Sequence, residues 1–275
     1  MNKRFLAIKI IIRFLIYFFD IMSSFNEQLK RISSNEVLFV IILLYALGFG
    51  LKFFDIIKID VGVINLIIIF FFVFKLRDYF FEFKSDLASV FSVFSFKEIL
   101  IIVLLNIFFS YGMLYLSNYI LHLFPADTFS FLIPAKGIGT ESAGIFSLIS
   151  IVFISPVAEE LIFRGVFLNK LRFIVPTIFA VLISALLFAS LHGFGNIISA
   201  FAFGICMALL YLKTDNILVP VLAHFLNNLV GETIYHLDYQ QLLFSNGFAM
   251  ALMSILAIVS FILILKFISS NLKNI

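Results

Sequence analysis

The chain has 275 residues, 63% of them hydrophobic and only 13% charged, with a formal net charge of +3. A soluble domain carries roughly 45–50% apolar and about 25% charged residues, so a soluble globule of this size could not hide the excess. The small positive balance, with no basic tail, excludes nucleic-acid binding as its purpose. The 39 Phe and the absence of Trp read as the codon usage of an AT-rich bacterial genome. Cys206 is the single cysteine, so no internal disulfide can form.

The apolar residues fall into long runs, the signature of spanning helices. Residues 1–34 are expected to form a cytoplasmic, interfacial amphipathic start. Asn2, Lys9, Arg13 and Asp20 share one side of a helix, and Phe5, Ile8, Ile12, Leu15 and Phe19 lie elsewhere on it. A spanning helix over residues 5–22 is the alternative. Lys9 and Arg13 interrupt the first apolar stretch, and no small-residue cleavage site follows, so a cleaved signal peptide is not expected. Residues 35–142 form a variable transmembrane region with spans at Val37–Phe54, Ile56–Phe74 and Glu98–Phe124. Residues 143–235 form a motif-bearing core with spans at Ile145–Leu168, Phe173–Leu191, Asn196–Leu212 and Ile217–Gly231. Residues 236–275 add a last span at Phe248–Phe267 and a tail. Each span must be helical, because lipid offers no partner for free backbone groups. The expected fold class is all-α, a polytopic membrane bundle of about eight transmembrane helices.

Positive charges set the orientation. Lys3, Arg4, Lys9, Arg13, Lys30 and Arg31, then Lys75, Arg77, Lys84 and Lys97, then Lys170 and Arg172, then Lys213, then Lys266 and Lys273 fall on one side. The other side has only Lys52, Lys58 and Lys136. This asymmetry predicts a multi-pass protein of the cell membrane with both termini cytoplasmic. The stretch Lys75–Lys97 reads as a cytoplasmic connection. Pro125–Ser142, with Pro125, Pro134, Gly137 and Gly139, reads as an outer loop.

Charged groups inside a span cost at least about 2.5–3.5 kcal/mol on insertion scales, which makes them functional candidates. The fourth span holds Glu159, Glu160 and Arg164 after Pro156. Glu160 and Arg164 are four apart and meet on one face, while Glu159 points about 100° away. Pro156 removes a backbone donor and should kink the helix. A buried structural ion pair is the plain reading of this cluster. The fifth span ends at Phe188-Ala-Ser-Leu-His192, and the seventh stacks His224 and Asn228 one turn apart, with Asn227 pointing elsewhere. Helix–helix glue is the plain reading of that second pair. Rise per residue puts Glu159, His224 and Asn228 near mid-membrane, at about 16, 12 and 18 Å from the cytoplasmic end. His192 counts to about 25 Å and stands too high, unless its helix starts late at Pro176 or tilts. Glu232, His236 and Asp238 read as a solvated outer loop, and His122 as a headgroup residue at the end of the third span.

The order Glu159-Glu160-x-x-x-Arg164, Phe188-x-x-x-His192 and His224-x-x-x-Asn228 resembles the CPBP family, the CAAX-protease and bacteriocin-processing intramembrane proteases also called the Abi family. The resemblance covers about Gly144–Ile234. It implies a bundle with a conical intramembrane catalytic cavity and a glutamate-type endopeptidase. Glu159 would activate water, His192 would help to hold that water, and His224 and Asn228 would form the oxyanion hole. Glu160 and Arg164 would be the supporting pair, with Phe188 beneath His192. No cofactor is implied. The implied partners are membrane lipids and a peptide or membrane-protein substrate, prenylated or a bacteriocin precursor, and not nucleic acid. Peptide hydrolysis needs an activated water and donors for the oxyanion, and these residue types supply both.

Neither a Gly-x-Ser-x-Gly nor a His-Glu-x-x-His motif occurs, and no pair of Asp residues sits in the spans. Zinc on Glu159, His192 and His224 stays open by ligand type and number. A non-catalytic scaffold or a bacteriocin self-immunity protein also stays open, because fold does not fix function.

Overall fold

A computed structural model describes residues 25–54, 59–79, 87, 90, 93–123, 144–238 and 240–273. The expected interfacial helix before residue 25 and the outer loop at 125–142 lie outside the described residues. Among the described residues the protein is all-helical, with no strand.

A short helix α1 (Phe25–Arg31) precedes α2 (Ser34–Phe53) and α3 (Val61–Leu76). The long α4 (Val93–His122) follows, then α5 (Ile145–Leu171), α6 (Thr177–Ala189), α7 (Ile197–Thr214) and α8 (Leu218–Leu237). A short α9 (Leu242–Ser245) leads into α10 (Gly247–Leu272). Each of the eight expected spans coincides with one of these helices. Five are long and apolar enough to cross a membrane: α2, α4 over Phe96–His122, α5, α7 and α10. With 13 residues, α6 is apolar but only about 20 Å long, short of a hydrocarbon core of about 30 Å.

Two boundaries differ from expectation. The connection after α3 is shorter than Lys75–Lys97, because α4 already begins at Val93. α8 runs six residues past Gly231, so Glu232 and His236 are helical and not loop residues. They sit one turn apart, with His236 Nε2 3.8 Å from Glu232 Oε2. Apolar Ile234 and Leu237 let the helix continue. Asp238 ends it and accepts the backbone N–H groups of Leu242 and Leu243, which starts α9. His122 does end α4, exposed, its Nδ1 2.7 Å from the Asn118 carbonyl.

The centre of the molecule is α7. Phe203 to Tyr211 form one unbroken buried run. Small residues let helices approach α7 closely. A Cβ on Gly204 would stand only 3.1 Å from the Cβ of Ala185 on α6. α10 lies along α4, where Phe109 and Phe261 stack at 5.3 Å and Gly112 meets Ala257 with no room for a side chain. α3 joins α5 through Asn65, whose amide donates to Ser155 at 2.9 Å. The outer faces of α2 and α10 stay apolar: Phe39, Ile42, Phe49, Phe248, Ile258 and Ile262 are all exposed. Such a surface fits lipid and not water.

Ion pairs link residues that the charge pattern put on one side. Lys75 meets Glu36 at 2.7 Å, Lys213 meets Glu98 at 2.6 Å and Lys30 meets Asp215 at 2.7 Å. Asn26 also donates to the Asp215 carbonyl and side chain, which fastens α1 beneath α7. Burial alone would lower the Lys30 pKa, but its hydrogen bonds to Asp215 and Glu27 outweigh this and raise it above its ordinary value.

Candidate active site

Helix α5 is not uniformly α-helical. Ser150–Ile154 and Leu161–Leu168 are π-helical and flank an α-helical turn at Ser155–Glu160. Pro156, expected to kink the helix, sits in that turn. Its effect is specific. In the first π segment the Ser155 N–H bonds the Ser150 carbonyl, five residues back. The next bond in that register would run from Pro156 to Ile151, and proline has no N–H. The Ile151 carbonyl instead accepts from Asn228 Nδ2 on α8, at 2.9 Å. A sequence defect in one helix is thereby repaired by a polar residue of another. The second π segment is served by Asn169, whose amide approaches the carbonyls of Arg164 and Gly165 and the Tyr211 hydroxyl within 3.1 Å.

Glu159 and Glu160 take different environments, as their angular separation predicts. Glu160 is fully buried, and its Oε1 accepts from Arg164 Nη1 at 3.1 Å and faces His224 Nδ1 at 2.9 Å. Arg164, also fully buried, donates to the Gly204 carbonyl at 3.0 Å, and its Cζ lies over the Phe188 ring, 4.5 Å from the centroid. Glu159 retains 19% of its side-chain exposure, with Oε2 3.9 Å from His224 Nε2. Each nitrogen of His224 therefore faces a different carboxylate of the same dipeptide.

Phe188 is the hub between the two histidines. Its ring centroid lies 4.7 Å from that of His192 and 5.5 Å from that of His224. His192 Nδ1 lies 3.1 Å from the Phe188 carbonyl, which holds the ring against α6. Residue counting gave His192 a high position, and its ring packs on Phe188 at the end of α6. α6 starts only at Thr177, and the chain leaves its helical path after Ala189. The remaining sequence candidate, Asn228, stands one turn above His224 on α8 with its amide on the Ile151 carbonyl. Among the described residues, no three His, Cys, Asp or Glu side chains are arranged to hold a metal ion.

Sequence reasoning passed over Asn106 on α4 and Asn169 on α5, both buried. Asn106 sits in the run Leu104-Leu105-Asn106-Ile107. The rule that singled out charged groups would have found it, had it been extended to buried amides.

Residues 141–230 match the family model of the Type II CAAX prenyl endopeptidases, Rce1-like. The chain is also 30% identical over 104 residues to the Bacillus subtilis (strain 168) protein "Putative membrane peptidase YdiL", covering 34% of this chain and 43% of that relative. The chain therefore spans less than half the length of this relative. No solved structure matches. The two findings support a CPBP-type family for this chain, and the matched residues hold all seven candidate side chains from Glu159 to Asn228.

Proposed function

We propose that this CPBP-type chain is an intramembrane endopeptidase that hydrolyses a peptide bond with a water activated by Glu159. What supports the reading is the division of labour between adjacent carboxylates. Glu160 is spent on Arg164 and His224, while Glu159 is partly open and faces the other nitrogen of His224. In this reading Glu159 takes a proton from water as the water oxygen adds to the scissile carbonyl carbon, and His192 holds that water. The oxyanion receives hydrogen bonds from His224 Nε2–H and from the second N–H of Asn228. Donating both to Glu160 from Nδ1 and to the oxyanion from Nε2 requires a proton on each ring nitrogen. Glu159 then returns its proton to the amide nitrogen, and the C–N bond breaks to leave an acid and an amine.

The substrate classes that the family suggests are a prenylated CAAX peptide and a bacteriocin precursor. The charge asymmetry supports a reading with both termini on the cytoplasmic side of a bacterial cell membrane. Reporter fusions after Asn274 and within residues 125–142 should then report opposite sides.

The deciding experiment uses the full chain in lipid nanodiscs with each peptide class, and reads cleavage by mass spectrometry. Glu159→Gln keeps size and hydrogen bonding but removes the basic oxygen. A base contributes typically about 10²–10⁴-fold, so cleavage should fall to near background in a folded, inserted protein. Full cleavage by Glu159→Gln would sink the assignment. Loss of wild-type cleavage on chelation, restored by zinc, would favour a metal on Glu159, His192 and His224. A scaffold or immunity role predicts no cleavage, and a Glu159→Gln variant that still complements a knockout.

A further inference from the structure

Asn106 lies mid-helix on α4, 4% exposed, outside the residues that match the family model. Its amide begins a chain of hydrogen bonds that ends at the candidate site. Asn106 Nδ2 donates to Asn227 Oδ1 at 2.8 Å. Asn227 Nδ2 donates to Asn228 Oδ1 at 3.3 Å. Asn228 Nδ2 donates to the Ile151 carbonyl at 2.9 Å. The direction of this chain is fixed from its far end. A backbone carbonyl only accepts, so Asn228 must present N–H to Ile151 and oxygen to Asn227. Asn227 must then present N–H to Asn228 and its own oxygen to α4. The donor at position 106 satisfies that oxygen. Without this bond the Asn106 NH2 would be unpaired in a buried position among apolar helices, which is costly.

We propose that Asn106 is a positioning residue that acts through Asn227 to hold the Asn228 amide in one orientation, with one N–H on Ile151 and the other left for the oxyanion. The proposal rests on the reading of Asn228 as an oxyanion donor. It assigns to α4 a part of the site that the matched region alone does not contain. Asn106 is not a catalytic residue, because it reaches the reaction only through two other amides. The competing view is that Asn106 and Asn227 are simple glue between α4 and α8. Glue would change stability and leave the Asn228 amide where it is.

The test uses the full chain with isotope-labelled asparagine in lipid nanodiscs. The Asn228 side-chain NH2 signal is identified by its loss in Asn228→Asp. Asn106→Leu and Asn227→Leu break the chain at its first and middle links, and both should shift or double that signal. Leu209→Ala, which destabilises the bundle without touching the chain, should leave it in place. If either relay variant fails to fold, the other decides. An unmoved Asn228 signal in the folded variants overturns the proposal. On the peptide that the wild type cleaves, Asn106→Leu should lower kcat by about 10–100-fold with KM within about twofold. A moved signal with unchanged kcat also overturns the positioning role. A wild type that cleaves neither peptide class counts against the proposed function, and the amide signal still decides whether the relay exists.

Discussion

Helices α2 and α7 are both apolar enough to cross a membrane, yet they live in opposite surroundings. Only 6% of the spanning window of α2 is buried within the protein, against 61% for α7. α2 offers bulky residues to lipid, including Phe39, Ile42 and Phe49. α7 carries Ser199, Gly204, Cys206 and Ala208 among its large residues, and these small positions admit neighbouring helices. The same contrast separates the two parts of the chain. The matched region 141–230 buries a carboxylate, a guanidinium and an imidazole, whereas α10 presents lipid-like faces with buried residues only at Ala257, Ser260 and Ile264. Hydropathy measures what a helix can tolerate. Packing decides whether lipid or protein surrounds it.

The sharpest way to test this contrast is to unpair the buried cluster. Glu160→Gln leaves Arg164 buried without its counter-charge, and should cost about 3–5 kcal/mol in unfolding from detergent or bicelles. A loss under about 1 kcal/mol would mean that Arg164 finds another partner, and that Glu160 is not the keystone of the site. Next in size is a cavity in the central helix. Leu209 is fully buried on α7, and Leu209→Ala should lower stability by about 2–5 kcal/mol in the same assay. Smaller again is an intrusion between α4 and α10. Gly112→Val would press against Ala257 and should cost about 1–3 kcal/mol, with the double variant at Ala257→Gly recovering part of it. At the low end, Ile42→Ala on the lipid-facing side of α2 should stay within about 0.5 kcal/mol of wild type. If Ile42→Ala and Leu209→Ala cost the same, the division into lipid-facing and protein-packed helices is wrong.

Much of the candidate site was legible because its signals are local. Glu160 and Arg164 are one turn apart, and a helix must bring them together whatever surrounds it. The separate headings of Glu159 and Glu160 follow from helical geometry as well. His192 was the least secure residue from sequence. A late start at Pro176 was one way to lower it, and α6 does begin at Thr177, but the turn after Ala189 was not foreseen. The π-helical turns were not legible either, because nothing in the run from Ser150 to Leu168 distinguishes an i→i+5 register from an i→i+4 one.

By itself the sequence determined the membrane solvent, the approximate places of the helices and the charged residues that lipid would reject. Those follow from composition and spacing, which act along one chain segment at a time. The tertiary structure alone decided partners. It brought His224 to the Glu160 carboxylate that Arg164 already meets, set Phe188 against His224, and sent Asn228 to the carbonyl that Pro156 leaves unmatched. Each of these joins residues from different helices. Helix rotation and contact between neighbours arise from packing side chains against one another, and no periodicity within a single helix encodes them.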